Sequence, residues 1–168
     1  MSTDPPAFDP GAIFAVLERH AVDFVLVGGL AGMAHGSSYP SFDVDVAYER
    51  SPANLERMAA ALRKLGATLR GAPPDLPFQL DAATLANGMH FTFDTRLGPF
   101  DILGEPDGAR DYAKLSAAAS SVELEGVIVK VASLDHLIAM KRAANRPKDR
   151  LMVEEYIRLS DETSAADR

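Results

Sequence analysis

The stretch VGGLAGMAHGSSYPSFDVDV, residues 27–46, contains the pattern that decides the fold. An apolar run over residues 24–27 ends at Gly28-Gly29, which predicts a short buried strand followed by a turn. Residues 30–35 are small and apolar and predict one or two helical turns, which the segment SSYPS then ends. Apolar and polar residues alternate from Phe42 to Tyr48, so a second strand is predicted there. We therefore expect two strands linked by a short helix.

Two acidic residues lie on one face of the second predicted strand. Asp43 and Asp45 are two positions apart, so their side chains leave the strand on the same side. Phe42, Val44 and Val46 are expected on the opposite side, in the core. Adjacent carboxylates repel each other unless a cation lies between them, and hard divalent ions such as Mg²⁺ take oxygen ligands. Acidic pairs on strands are also often solvated or paired with lysines, so the pair alone leaves both interpretations open.

Two other local features also have a functional and a structural interpretation. Gly28-Gly29 lacks Cβ atoms, so the backbone there can approach a phosphate and present N–H groups to it, although a glycine pair is also a common tight turn. The segment KRAANRPKDR, residues 141–150, contains five basic residues and one acid. It is either a solvated link between helices or a basic rim for phosphates or RNA.

The rest of the chain alternates helices and strands. Helices are predicted at 11–20, at 52–65 and, as a C-terminal pair, over about 133–160; hairpins are predicted at 89–103 and 122–131, a short strand at 67–70 and a proline-rich loop at 71–80. The pattern predicts an α+β (α/β) fold: a mixed sheet with flanking helices and a short C-terminal helical segment. We expect a flexible arm over 1–10, a single domain over 11–160 and a frayed tail over 161–168.

Length, charge and cysteine content restrict the class of protein. The chain has 168 residues, 47% of them hydrophobic, which suits one globular domain. Its 17 Lys and Arg against 24 Asp and Glu give a net charge of −7, which argues against non-specific coating of DNA. The absence of cysteine excludes disulfides, iron–sulfur clusters and thiolate zinc sites. The start MSTDPPAFDP has no signal region and no run of about 20 apolar residues follows, so we expect a cytoplasmic protein without a membrane partner.

The order of strand, Gly-Gly, linking segment and Asp-x-Asp strand resembles the nucleotidyltransferases of the polymerase β type, particularly small bacterial ones related to AbiEii-like toxins and antibiotic nucleotidyltransferases. That family has a third carboxylate in an apolar Asp-Ile-Leu or Asp-Leu-Leu run on a neighbouring strand, and Asp101 in PFDILG matches it. The AbiEii-like group also tends to have a Lys on a C-terminal helix and an Arg-x-Lys-Asp segment that opens the next helix. These correspond to Lys141 and residues 146–149. The resemblance covers residues 24–158.

The resemblance implies a nucleotidyltransferase core with a site for Mg²⁺ or Mn²⁺ and for an NTP. The implied metal ligands are Asp43, Asp45 and Asp101; the implied catalytic residues are these three and Lys141; the implied nucleotide-binding residues are Gly28, Gly29, Ser41, Arg146, Lys148 and Asp149. Paired metal ions stabilise the attacking and leaving oxygens of an in-line displacement. We therefore expect transfer of a nucleoside monophosphate from an NTP to an acceptor hydroxyl, with release of pyrophosphate.

The acceptor and the biological role stay open at this point. A tRNA 3′ end, a protein hydroxyl and a small molecule such as an aminoglycoside are all candidates, and a toxin would have an antitoxin protein as its partner. The alternatives are an antibiotic-modifying nucleotidyltransferase, a non-catalytic nucleotide- or partner-binding module of the same fold, and a metal-dependent phosphohydrolase. A degenerate binding module should have lost one of the three acids, and this chain contains all three.

Several residues near the motif have open roles. Many relatives have Gly-Ser where this chain has Gly-Gly, so a hydroxyl contact to phosphate is either missing or supplied by Ser37, Ser38 or Ser41. His90 and Asp94 are expected on the same face as Asp101, either in the site or as cross-strand surface residues.

Overall fold

The structure is a computed structural model that describes residues 7–167. Within this range the chain forms seven strands and seven helices. The strands are β1 (Phe24–Val27), β2 (Val44–Tyr48), β3 (Thr68–Leu69), β4 (His90–Thr95), β5 (Gly98–Leu103), β6 (Ser120–Leu124) and β7 (Val127–Val131). The helices are α1 (Pro10–Arg19), α2 (Gly28–Ala34), α3 (Pro52–Lys64), α4 (Ala82–Asn87), α5 (Tyr112–Ala118), α6 (Leu134–Ala144) and α7 (Pro147–Ala166).

All seven strands belong to one mixed sheet in the order β3-β4-β5-β2-β1-β7-β6. The two predicted hairpins, β4–β5 and β6–β7, are antiparallel, and β1 pairs antiparallel with β2 and parallel with β7. At the centre, β2 pairs in parallel with β5, in a register that places Asp45 opposite Asp101. The predicted α+β class with a mixed sheet and flanking helices is thereby confirmed.

The core lies on one face of the two central strands. Val44 and Val46 of β2, and Phe100 and Ile102 of β5, are completely buried. Side chains of a strand alternate between the two faces, so the acidic residue between each apolar pair points to the opposite side. The sheet therefore presents acidic side chains from adjacent strands on one face and is held by apolar packing on the other.

Local signals explain where the long helices begin. Ser51 caps α3 by accepting a hydrogen bond from the Asn54 N–H, and Pro52 occupies the first turn, where its missing N–H costs nothing. Ser133 caps α6 in the same way by accepting from the His136 N–H. Both helices start where the sequence predicts.

Two short helices were missing from the sequence prediction. Each of α4 and α5 begins after an aspartate, Asp81 and Asp111, whose carboxylate accepts a backbone hydrogen bond. With six and seven residues, they are too short to show a helical period. The aspartate caps were the signal that could have identified them.

The predictions for the chain ends and for Phe42 need correction. Residues 1–6 of the expected arm and Arg168 lie outside the described residues, but Phe8 packs against the core and Asp9 donates its N–H to the Leu97 carbonyl at 2.9 Å. Residues 161–166 continue α7 instead of forming a frayed tail, since neither Gly nor Pro interrupts the sequence after Pro147. Phe42 is 72% exposed and not in the core, because β2 begins at Val44 and the alternation does not extend before it.

Among residues 7–167, no helix has both the length and the apolar character that crossing a bilayer requires.

Candidate active site

Three of the predicted carboxylates lie together at the centre of the sheet. One carboxylate oxygen from each of Asp43, Asp45 and Asp101 lies within 4.8 Å of the others, and all three residues are half-buried. Asp45 and Asp101 meet because they are register partners on β2 and β5, and Asp43 directly precedes β2. The structure thus brings together, across 58 positions of sequence between Asp43 and Asp101, the acids that the motif singled out.

This acidic triad (Asp43, Asp45 and Asp101) contains unbalanced negative charge. Burial, followed by the charges of Asp43 and Asp101, raises the pKa of Asp45 to about 8, and the Lys141 ammonium opposes this only in part. Burial also raises the pKa of Asp101, although Arg70 acts in the opposite direction. A divalent cation bound here would replace repulsion by attraction, and carboxylate oxygens are the ligands that Mg²⁺ and Mn²⁺ prefer. The residues present therefore fit such an ion.

Arg70, which the sequence interpretation did not include, binds the third acid. Its Nη2 donates to Asp101 Oδ1 at 2.8 Å and to the Phe93 carbonyl at 2.7 Å, while its Nε donates to Asp94 Oδ1 at 3.2 Å. These bonds hold the guanidinium between β4 and β5 and orient the Asp101 carboxylate. Asp94 is thus a surface partner of Arg70 beside the triad. Arg70 follows the two-residue strand β3, and no local pattern links it to an acid 31 positions away.

Asp149 anchors the predicted cations and is not itself open to a ligand. Its side chain has no exposed surface, and it accepts hydrogen bonds from the Arg146 N–H at 3.1 Å and from Arg146 Nε at 2.7 Å. Lys141 Nζ lies 3.3 Å from Asp149 Oδ1. The Arg146 guanidinium, despite the opposing effect of burial, lowers the pKa of Asp149 to about 2. The role of Asp149 in nucleotide binding stays a prediction, and because its carboxylate is buried, it would act by holding Lys141 and Arg146.

The glycine pair packs against the residues around the second strand. Gly28 has φ of +71°, and a Cβ there would overlap the Asp45 carboxylate. A Cβ on Gly29 would lie 2.7 Å from the Ser41 Cβ and 2.8 Å from its Oγ, which is closer than real Cβ contacts allow. The Ser41 hydroxyl therefore occupies the space into which a side chain at position 29 would extend. Glycine at positions 28 and 29 therefore lets the turn lie this close to Asp45 and Ser41 without overlap.

The three candidate serines have different surroundings. Ser37 and Ser38 both donate their hydroxyls to the Glu155 carboxylate on α7. Ser41 Oγ instead lies 3.3 Å from Asp43 Oδ1, beside the acidic triad. Of these three residues, Ser41 is the one whose hydroxyl faces the candidate site.

Two cavities border the acidic triad. The first, of about 300 Å³, lies between the sheet, the loop after β5 and α6; apart from Asp45, Lys141 and Arg146, it is lined mainly by apolar residues. The second, of about 600 Å³, is polar, and its lining includes Gly28, Gly29, Ser41, Asp43, Asp45, Arg70, Lys141, Arg146 and Lys148. We call them the apolar cavity and the polar cavity. Asp45 and Lys141 line both, so the triad borders their junction at Asp45.

The fold is that of known nucleotidyltransferases. No family model and no curated protein matches the chain at the sequence level. Among solved structures, the antibiotic-resistance factor ANT(2'')-Ia is similar with a TM-score of 0.57 and 15% identity, over 94% of this chain and 83% of that one. The lincosamide antibiotic adenylyltransferase LnuA, with lincomycin bound, has a TM-score of 0.57 and 11% identity over 89% of this chain and 95% of that one.

A Thermotoga maritima protein assigned as a nucleotidyltransferase is similar over 91% of this chain and 96% of its own length, with a TM-score of 0.55 and 14% identity. These identities are low, and what the proteins share with the chain is the arrangement of sheet and helices. The chain therefore has the nucleotidyltransferase fold.

Proposed function

We propose that the protein is a metal-dependent nucleotidyltransferase that moves a nucleoside monophosphate from an NTP to an acceptor hydroxyl. The observation that carries the proposal is the acidic triad, formed on adjacent strands of a nucleotidyltransferase fold at the junction of two cavities. Scattered surface acids would instead be separated and solvated. Here the three carboxylates converge and repel each other, which is the arrangement that a bound divalent cation stabilises.

Each side chain of the site has a role in this reaction. Asp43, Asp45 and Asp101 would hold Mg²⁺ or Mn²⁺, which stabilises the developing charge on the reacting oxygens when bound. Asp101 would accept the proton of the attacking hydroxyl. The acceptor oxygen forms a bond to the α-phosphorus, the bond between the α-phosphorus and the bridging oxygen breaks, and pyrophosphate leaves.

Basic residues and glycines supply the phosphate-binding side of the polar cavity. Lys141, Arg146 and Lys148 line it, and their charges would neutralise the triphosphate. Because Asp149 anchors the first two, their positions are set before a nucleotide arrives. The close turn at Gly28-Gly29 and the Ser41 hydroxyl complete this wall of the cavity.

We propose a small-molecule hydroxyl as the acceptor. Support comes from the similar structures, of which one is a complex with adenylyl-2''-tobramycin and another has lincomycin bound. The net charge of −7 gives little support to a long RNA acceptor. A tRNA 3′ end, a protein hydroxyl and an antitoxin partner, as well as the cytoplasmic location, stay predictions.

The function is tested with the purified protein, Mg²⁺ and each of the four NTPs labelled at the α-phosphate. Aminoglycosides, lincosamides, total tRNA and a protein extract are offered separately as acceptors. We expect label on a small molecule together with pyrophosphate release. Release of inorganic phosphate would instead indicate a phosphohydrolase. Mg²⁺-dependent NTP binding without transfer to any acceptor would favour a binding module.

Replacing Arg70 by Gln is expected to slow transfer about tenfold, because Asp101 loses the charge-assisted hydrogen bond that orients it. Arg70 also opposes the raised pKa of Asp101, so its removal raises that pKa further. The acidic limb of the rate–pH profile should therefore move to higher pH. Asp94→Asn removes an exposed negative charge but keeps an oxygen that can accept from Arg70 Nε, so it should keep the wild-type profile. An unshifted acidic limb in Arg70→Gln would contradict the role given to Arg70.

A further inference from the structure

We propose that the apolar cavity binds the nucleoside of the donor NTP, its base and ribose, while the acceptor approaches through the polar cavity on the Arg70 side. This inference rests on the proposed function and assigns a substrate group to each side of the acidic triad. The volume of about 300 Å³ lies at the lower end of the range for small-molecule pockets and suits a single base with its sugar.

The walls of the apolar cavity have the chemistry that a base requires. Leu103 at the end of β5, Pro106 in the following loop, and Leu137 and Met140 on α6 supply apolar surface. His90 and Asp107 add polar groups, and Asp107 accepts hydrogen bonds from Arg110 in the same loop. Apolar walls with a few polar groups are typical of pockets for small organic ligands.

The loop after β5 is held firmly enough to form one of these walls. Gly108 has φ of +88°, and a Cβ there would lie 2.7 Å from the Met140 backbone nitrogen and even closer to the Ala139 carbonyl group. The loop backbone therefore packs directly on α6. Ala109, next to it, is 5% exposed and belongs to the core. The apolar cavity is thus formed in advance between two packed elements.

The apolar cavity and the polar cavity lie on different sides of the triad, so they can hold different groups of the substrates. Asp45 lines both cavities, whereas Arg70 and Asp94, which flank Asp101, line only the polar one. An in-line displacement needs the attacking and leaving oxygens on opposite sides of the α-phosphorus, with the nucleoside extending to one side.

In this arrangement the polar cavity holds both the attacking acceptor and the leaving pyrophosphate. Arg70, bonded to Asp101, marks the end at which the acceptor attacks, and Lys148 marks a phosphate-binding end. Lys141 and Arg146 line both cavities, as expected for residues beside the α-phosphate, which joins the nucleoside to the β- and γ-phosphates. The apolar cavity is then the place left for the nucleoside.

Ala144 offers a way to fill the apolar cavity without disturbing the core. It lines the cavity, yet it is exposed at the end of α6, so Ala144→Phe puts an aromatic ring into the cavity without displacing buried side chains. Ala143 is also exposed and precedes it on the same helix, but does not line this cavity. Ala143→Phe is therefore the matched control. Thermal unfolding of both variants is measured to check that they fold.

Calorimetry with Mg²⁺ compares each of the four NTPs with inorganic tripolyphosphate, which has the phosphates without the nucleoside. We expect Ala144→Phe to weaken NTP binding at least about tenfold and to leave tripolyphosphate binding unchanged. Ala143→Phe should change neither. Unchanged NTP binding in Ala144→Phe, or an equal loss for both ligands, would overturn the proposal.

A second variant and a second readout keep the two proposals distinguishable. Met140→Ala enlarges the cavity and should weaken NTP binding but not tripolyphosphate binding; an unchanged affinity counts against the proposal. If Ala144→Phe raises the acceptor KM at unchanged NTP affinity, the apolar cavity binds the acceptor. The assignment of the nucleoside to this cavity is then wrong, but the proposed nucleotidyl transfer is not contradicted. If the wild-type protein binds neither NTP nor tripolyphosphate, the proposed function fails and this inference fails with it.

Discussion

Asp45→Asn is expected to abolish nucleotidyl transfer and, at the same time, to stabilise the protein when divalent ions are removed. The loss of transfer, at least about a thousandfold, follows because the variant loses a carboxylate ligand at the centre of the triad. The gain in stability follows because Asp45 is half-buried beside two other carboxylates, and an amide of the same shape removes the repulsion.

The sign of the pH dependence follows from the raised pKa of Asp45. In the unfolded chain this carboxyl has its ordinary pKa of 3.8, whereas burial and the neighbouring carboxylates raise its pKa in the folded protein to about 8. Between these values the unfolded state binds fewer protons than the folded state, so the free energy of unfolding decreases as pH rises. The stabilisation by Asp45→Asn should therefore be absent below pH 3.8 and complete above pH 8.

Thermal unfolding with EDTA between pH 4 and 9 measures this difference. Because the three acids titrate together, we expect a gain of about 2 kcal/mol at high pH, which raises Tm by roughly 6 °C. Added Mg²⁺ should raise the Tm of the wild-type protein and have little effect on Asp45→Asn. Asp94→Asn, which removes an exposed carboxylate next to the triad, is the control and should respond to Mg²⁺ like the wild type. A Tm that Asp45→Asn lowers at pH 9 would contradict the charge repulsion in the triad.

Asp149→Ala is expected to destabilise the protein by about 3 kcal/mol, because it leaves the half-buried Lys141 ammonium without its partner and removes the acceptor at the start of α7. Transfer should also slow, since Lys141 and Arg146 lose the carboxylate that anchors them. Denaturant unfolding measures the first effect and the rate of transfer the second.

The controls for this prediction separate charge from helix capping. Asp149→Asn keeps an acceptor for the Arg146 N–H but loses the charge, so an intermediate stability is expected. Glu154→Ala removes an exposed acid from the same helix and should change the free energy of unfolding by less than about 0.5 kcal/mol. The pKa of Asp149 is lowered to about 2, so its contribution is complete above pH 3.8 and is lost as pH falls through 2. If Asp149→Ala and the wild type have equal free energies of unfolding at pH 7, Asp149 does not anchor Lys141 and Arg146.

Local sequence patterns were sufficient for the strands and the long helices around the site. The alternation in β2 identified Asp43 and Asp45 as neighbours on one face, and the apolar run around Asp101 identified its strand. The same reasoning failed at Phe42, because alternation in the sequence does not show where a strand starts to pair. It also missed α4 and α5, because six or seven residues contain too few turns for a period.

The sequence by itself determined the strand, the glycine turn and the pair Asp43 and Asp45, because each of these lies within a short stretch of the chain. The third carboxylate, Asp101, was assigned through the resemblance to a family. Tertiary structure alone decided the neighbours of those residues. Arg70 reaches Asp101, and Asp149 is a buried partner of Lys141. Ion pairs between distant segments leave no periodic pattern, because they depend on strand register and helix packing rather than on local spacing. The position of the apolar cavity beside Asp45 has the same origin, since Gly108 and α6 form it by packing across the fold.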